Sequence, residues 1–114
     1  MKIVNLEQFR ALPEGTVFMK YEPCIFDELC VKGETWEYDW LYENITTQIE
    51  CTGSGDFSDK LDAALETGCS VAMDFNSWGR DGCFDNDQLF AIYEKQDVTG
   101  LIEKLNHCLA MAYK

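Results

Sequence analysis

The apolar residues toward the end of the chain recur at helical spacing. Positions 98, 101, 102, 105, 108, 109 and 112 fall on one side of a 3.6-residue period, directly after Asp97, which is a suitable helix cap. Apolar residues at 57, 61, 64 and 65 predict a shorter middle helix that begins at residue 56 or 58 and ends at Gly68. A first helix of about two turns is predicted between Asn5 and Pro13.

Most of the remaining chain shows the two-residue alternation of strands. Aromatic residues at 36, 38, 40 and 42 alternate with Glu37, Asp39 and Leu41, which predicts a strand with one aromatic face. The tripeptide at 32–34 is interpreted as a hairpin turn, and the polar stretch 76–87 as a loop. The predicted strands span residues 16–21, 25–31, 35–43, 45–51, 69–75 and 88–95.

These elements predict an α+β fold. Neighbouring strands joined by short turns favour an antiparallel sheet of about five to six strands, with the C-terminal helix and the short middle helix packed on one face. The length of 114 residues fits a single domain over 1–114. No apolar window is long enough to cross a membrane and no secretory signal opens the chain, so we expect a cytoplasmic protein, in the host cell cytoplasm if a phage encodes it.

The charge of the chain is strongly negative. Nine basic residues face 21 acidic ones, which gives a formal net charge of −12. Residues 33–68 hold nine of the acids and a single base, Lys60. A field of this sign repels phosphate backbones and anionic membranes, and it attracts basic protein surfaces in a salt-dependent way. We therefore expect a basic partner surface, and neither direct nucleic-acid binding nor membrane binding.

Eight residues are the candidates for binding such a partner. Four carboxylates come from the most acidic part of the chain, and three more come from the 81–87 loop. Trp78 lies in the predicted polar loop, and an aromatic residue among acids is typical of an interface anchor; its alternative is to fold back over the sheet. The candidates are Glu34, Glu37, Asp39, Glu43, Trp78, Asp81, Asp85 and Asp87.

Catalytic and metal-binding patterns are weak in this sequence. The six cysteines form no C-x-x-C pair and there is no second histidine, so we expect no metal site. Without a secretory signal we expect free thiols. The single histidine, His107, has Cys108 as its sequence neighbour, which is a poor catalytic partner on a helix. The loop from Asp81 to Asp87 fails the ligand spacing of a calcium-binding EF-hand. We expect no enzyme and no cofactor; the alternative is a small hydrolase that uses Cys51 or Cys83.

Two stretches resemble known sequences. Phe9–Pro23 (FRALPEGTVFMKYEP) and Arg80–Val98 (RDGCFDNDQLFAIYEKQDV) are similar to small uncharacterised proteins of phages and other mobile elements. Among characterised phage proteins of this size and acidity, the nearest class is the anti-CRISPR and DNA-mimic inhibitors. The resemblance implies a protein that blocks the nucleic-acid groove of a host nuclease complex, and it carries over no individual residue.

Charge and resemblance together favour one hypothesis. The protein is expected to be an acidic inhibitor, encoded by a phage or mobile element, whose carboxylates replace phosphates in a basic nucleic-acid channel of a host defence protein of the CRISPR-Cas type. The first alternative is an immunity protein that neutralises a basic nuclease toxin. The second is a small non-catalytic domain whose charge serves only solubility.

Overall fold

The computed structural model of the chain describes residues 1–82 and 85–113. Its helices and strands follow one another in the order β1, α1, β2, β3, β4, β5, α2, β6, β7 and α3. Their bounds are Lys2–Val4, Leu6–Arg10, Val17–Glu22, Ile25–Phe26, Cys30–Trp36, Asp39–Asn44, Ser54–Thr67, Trp78–Arg80, Leu89–Ile92 and Lys95–Ala112.

The seven strands form one sheet in the order β1-β7-β2-β4-β5-β6, with β3 paired to β2. Every pairing between these strands is antiparallel. The α+β class with an antiparallel sheet, a middle helix and a C-terminal helix is therefore confirmed. No helix among the described residues is long and apolar enough to span a bilayer.

Helix α1 begins at a complete capping box. The Asn5 side chain accepts a hydrogen bond from the Gln8 backbone N–H, and the Gln8 side chain accepts one from the Asn5 backbone N–H. These reciprocal bonds satisfy two backbone donors that a helix start leaves without partners. The short helix thereby presents Leu6 and Phe9 to the sheet, where both are buried.

The core is aromatic and is centred on Phe9. Its ring stacks on Phe90 at 4.0 Å and meets Phe18 and Trp40 edge to face at 4.7 and 5.0 Å. All four side chains are at most 2% exposed. They come from α1, β2, β5 and β7, so the core is closed by these elements without a residue from α2 or α3.

A lysine lies at the edge of this core. Lys32 of β4 is buried, and its ammonium donates to the Leu12 carbonyl at 2.9 Å and to the Thr35 hydroxyl at 2.6 Å, 5.7 Å from the centre of the Phe9 ring. Burial lowers the pKa of Lys32, because it penalises the charged ammonium. The two oxygen acceptors compensate part of the lost hydration.

Helices α2 and α3 stand apart from the core. No described residue of either helix is buried. Helix α2 ends at Gly68, whose φ of +73° is the left-handed conformation that glycine adopts most readily. The radius of gyration is 16.2 Å, against about 13 Å for a compact chain of roughly this length, which agrees with helices that project from the sheet.

Four local predictions are corrected by the structure. The predicted turn at 32–34 lies inside β4, and the chain turns instead at Glu37 and Tyr38. The predicted strands 45–51 and 69–75 are irregular and meet only in one isolated bridge, Ile49 with Met73. The predicted 76–87 loop contains strand β6, and the first residues form β1, which the sequence pattern did not indicate.

The reason for the displaced turn lies in packing. Gly33 has no side chain, and the Trp78 ring occupies the space beside it: a Cβ on Gly33 would lie 3.0 Å from Cζ3 of that ring and 2.9 Å from Cβ of Leu41. A glycine inside a strand often marks such a close approach. Glycine usually indicates a turn, but Gly33 instead allows the Trp78 ring of β6 to pack closely against β4.

Candidate functional site

The tip of the β4–β5 hairpin carries large exposed side chains. The two strands are joined by a two-residue turn, Glu37 and Tyr38, next to the pair Trp36 and Asp39. Trp36 is 42% exposed and Tyr38 is 72% exposed. Glu37 has a φ of +44°, which is uncommon and strained for a residue with a side chain. Strained non-glycine residues are frequent at functional sites.

Asp39 joins this hairpin to the chain that follows β6. Its carboxylate accepts hydrogen bonds from the backbone N–H groups of Trp40 and Gly82, both at 2.8 Å, and it pairs with the guanidinium of Arg80. Burial alone raises the pKa of Asp39, but the bonds from Arg80, Gly82 and Trp40 outweigh it and hold the pKa below its ordinary value. Asp39 is 8% exposed, so its predicted role as a partner-binding residue is corrected to a structural one.

An open groove of about 640 Å³ runs between the hairpin tip and the loop after β6. Arg10 from α1 lies over the Tyr38 ring at 5.3 Å and donates to the Tyr38 carbonyl at 3.1 Å. The groove therefore lies between residues 36–39, from the most acidic part of the chain, and residues Gly82 and Asn86 of the predicted polar loop. The groove is lined by Arg10, Trp36, Glu37, Tyr38, Asp39, Arg80, Gly82 and Asn86.

Two further predicted residues lie inside the protein. Glu43 is 5% exposed, and its Oε1 has no hydrogen-bond partner among the described residues. The Asp81 side chain is almost fully buried and pairs with the Lys20 ammonium at 2.8 Å, in a small cavity that Cys30 and Tyr42 also line. Their burial in and beside the sheet removes both carboxylates from the surface that a partner could reach, which corrects these two expectations.

The remaining predicted carboxylates are exposed. Glu34 lies on β4 near the tip, and Glu37 lies in the turn. Asp85 and Asp87 flank Asn86 of the groove, and the Asp85 carboxylate accepts a hydrogen bond from the Asp87 backbone N–H at 2.9 Å. All four residues are exposed. Glu37 lines the groove, and the other three are within two residues of the lining residues Trp36 and Asn86 in the sequence.

Trp78 occupies a different position. It lies on β6 opposite Glu43, with its ring against Gly33, and its indole N–H donates to the Asn76 side chain at 3.1 Å. It is 45% exposed, so it covers the sheet and also presents a free edge. The contact with Gly33 agrees with the interpretation that Trp78 folds back over the sheet, whereas its role as an interface anchor stays a prediction. Trp78 lies outside the residues that line the groove.

The thiols differ in accessibility. Among the described residues, Cys24, Cys51 and Cys69 are exposed free thiols and Cys30 is buried. Burial raises the pKa of Cys30 to about 12, helped by the nearby carboxylates of Glu28 and Asp27. Cys83, one of the two cysteines of the hydrolase alternative, lies outside the described residues. Within residues 1–82 and 85–113, no group of three or more His, Cys, Asp or Glu residues is arranged to hold a metal ion.

Sequence reasoning missed several of the residues that shape the exposed surface. The turn at 37–38 brings together Trp36, Tyr38 and Arg10 at the groove. Neither Glu37 nor Tyr38 is a residue type that usually indicates a hairpin turn. A second feature was detectable: Asp59, Asp62 and Glu66 lie at helical spacings of three and four, which places them in one row along α2.

Acidic side chains dominate the accessible surface. Among the described residues only five basic side chains are exposed, and two of these, Lys60 and Arg80, are in ion pairs with Asp56 and Asp39. Fourteen acidic residues are exposed. They are Glu7, Glu14, Glu22, Asp27, Glu28, Glu34, Glu37, Glu50, Asp59, Asp62, Glu66, Asp85, Asp87 and Glu103.

Comparisons with known proteins give no further guide. A scan against protein-family models found no match, and neither did searches of curated proteins and of solved structures. The function is therefore inferred from the residues of the chain itself.

Proposed function

We propose that this protein is an acidic inhibitor that binds a basic, nucleic-acid-binding surface of another protein. The observation that supports this most is the excess of exposed carboxylates in the part of the chain that the structure describes, fourteen against five exposed bases. Carboxylates pair with Arg and Lys as phosphate oxygens do, and charge complementarity of this size directs a protein toward basic partners. The resemblance to proteins of phages and mobile elements favours a target in a host defence nuclease complex.

The groove at the hairpin tip is the proposed contact. It combines Trp36, Tyr38 and Arg10, the residue types that supply most of the binding energy in protein interfaces, with the exposed carboxylate of Glu37. Glu34 is also exposed and lies on β4 two residues before Trp36. The aromatic rings would bury apolar area, while the carboxylates would meet guanidinium and ammonium groups of the partner. The Asp39–Arg80 pair holds the hairpin in place beneath them.

The proposed mode of action is stoichiometric binding without catalysis. At neutral pH a thiol with a pKa of about 12 is protonated, and the thiolate is the nucleophilic form, so Cys30 is a poor nucleophile. His107 is exposed on α3, a position typical of a solvated helix face. A buried carboxylate can serve as a proton donor or acceptor, but the carboxylates of Asp39 and Asp81 form ion pairs with Arg80 and Lys20.

The test is capture of partners from a nuclease-treated bacterial lysate with the tagged protein, followed by washes at low and then high salt. We expect recovery of a nucleic-acid-handling complex that dissociates at high salt, since screening weakens surface charge pairing. A triple variant, Glu34→Lys, Glu37→Lys and Asp87→Lys, should lose the complex, because it reverses the Glu37 carboxylate of the groove and two exposed carboxylates close in sequence to its lining residues.

A matched control separates the groove from the overall charge. Asp59→Lys, Asp62→Lys and Glu66→Lys together change the net charge by the same amount on α2 and should keep most of the binding. Equal loss in both variants would assign binding to overall charge and would overturn the groove as the contact. Recovery of no basic complex at low salt would overturn the inhibitor proposal itself.

A further inference from the structure

Helix α3 carries an apolar stripe that is partly covered at Val98, Leu101 and Cys108 and exposed at its other positions. Ile102, Leu105 and Leu109 are 55%, 56% and 57% exposed, and no described residue of the helix is buried. A surface helix of a globular protein normally turns such a stripe toward its own core. The core cluster of the described residues contains no residue of α3, so the exposed part of the stripe does not pack into that core.

The start of α3 is held by contacts with the first residue of the chain, whereas the rest of the helix projects from the sheet. The amino group of Met1 pairs with Glu94 at 3.2 Å and with Asp97 at 2.8 Å, and a capping box at Glu94 and Asp97 closes the first turn. The 18 residues that follow Glu94 extend for about 27 Å. A stable helix of this length with a free apolar side is a ready contact surface.

The charge of α3 favours a second copy of the chain as its binding partner. The helix carries two lysines, Lys95 and Lys104, and two acids, Asp97 and Glu103, so its net charge is zero, while the whole chain carries −12. Two copies of the protein repel each other wherever their acidic surfaces face. The neutral α3 is a long surface on which a second copy can approach, and no charged residue interrupts its apolar stripe.

We propose that α3 is the interface of a two-fold symmetric dimer in which two copies pack their helices antiparallel. The stripe residues 98, 101, 105, 108 and 112 are spaced by three and four, the pattern of helices that pack side by side. The centre of this pattern is Leu105, so the symmetry axis places the two Leu105 side chains together and sets Leu101 of each copy against Leu109 of the other.

The size of the interface sets its strength. Two helices that meet along a footprint of about 27 by 10 Å bury less than the roughly 800 Å² per partner of a standard stable interface. The dimer is therefore weak and concentration-dependent. The dimer does not depend on the proposed inhibitor function. Salt should strengthen dimerisation and weaken binding to a basic partner, because screening reduces the repulsion between acidic copies without weakening apolar contact.

The experiment is sedimentation equilibrium of the full chain from micromolar to millimolar concentration, at low and high salt. We expect the apparent mass to rise from 13.1 kDa toward twice that value, and to rise further at high salt. Leu105→Glu should remain at 13.1 kDa, because it places two carboxylates at the symmetry axis. His107→Glu adds the same carboxylate on the opposite side of the helix and should dimerise as the unaltered protein does.

Circular dichroism of each variant shows whether α3 persists. Leu109→Glu provides a second disruption if Leu105→Glu alters the spectrum. A protein that stays monomeric at every concentration would overturn the proposal and would leave the stripe to another kind of partner. Undiminished dimerisation of both glutamate variants would also overturn it, because the dimer would then use a different surface.

Discussion

Replacing Gly33 by alanine should destabilise the protein through one close contact. Gly33 lies in the middle of β4, where an added Cβ would stand 2.9 Å from Cβ of Leu41 and 3.3 Å from its carbonyl oxygen. Both atoms belong to β5 or are attached directly to it, so they cannot move away as the end of a long side chain can. The Trp78 ring, 3.0 Å away on the same side, would be displaced as well.

The expected cost follows from the size of the clash. Overpacking a well-packed site costs typically about 1–3 kcal/mol, and a contact with Cβ and backbone rather than a flexible chain end favours about 2 kcal/mol. With a urea m-value of about 2 kcal/mol per M for a small protein, the unfolding midpoint should fall by about 1 M. The slope of the transition should not change, because the same surface is exposed on unfolding.

Urea titration followed by tryptophan fluorescence measures this effect. Gly79→Ala is the matched control, since Gly79 also lies within a strand but its added Cβ would have an ordinary contact of 3.9 Å with Tyr42. The control should change stability by less than about 0.5–1 kcal/mol. Equal midpoints for the two variants would refute the packing of Trp78 on Gly33 and the register of β4, β5 and β6.

Three other measurements test separate parts of the structure. Asn5→Ala removes the capping box of α1 and should cost about 1 kcal/mol, measured as a lower urea midpoint; an unchanged midpoint would contradict the role of the cap. Iodoacetamide at pH 8, mapped by mass spectrometry, should label Cys24, Cys51 and Cys69 at least a hundredfold faster than Cys30, and comparable rates would show that Cys30 is accessible. The pKa of Lys32 is lowered, so the unfolded chain binds more protons than the folded one between that lowered pKa and 10.5, and the free energy of unfolding should rise with pH in that window. In Lys32→Met this rise should be absent, and parallel pH profiles of the two proteins would contradict the burial of the ammonium.

Periodic patterns predicted several of the helices and strands. The first helix, the strand that becomes β2 and the long C-terminal helix follow their apolar spacing, and Gly68 ends α2 as its position indicates. The hairpin turn was misplaced because Gly33 carries a turn signal but serves a close packing contact, while the real turn residues, Glu37 and Tyr38, carry none. Local sequence preference was overridden by tertiary contacts at these positions.

The candidate site was predicted by region but not residue by residue. The sequence indicated an acidic stretch and a polar loop, and a few residues of each, Glu37 and Asn86 among them, line one groove. Asp39 and Asp81 were indistinguishable from exposed acids in the sequence, because their ion-pair partners, Arg80 and Lys20, are distant from them along the chain. Glu43 is buried within the sheet without an ion pair among the described residues. The aromatic and arginine contacts of the groove also required the assembled sheet.

The direct test of the inhibitor proposal is a competition measurement on the complex that the tagged protein captures. Binding of labelled nucleic acid to that complex is followed as the protein is added, with the triple variant of Glu34, Glu37 and Asp87 and the matched α2 variant in parallel. The proposal predicts that the protein and the α2 variant displace the nucleic acid stoichiometrically, whereas the groove variant does not. A nucleic acid that stays bound while the protein binds the same complex would contradict it.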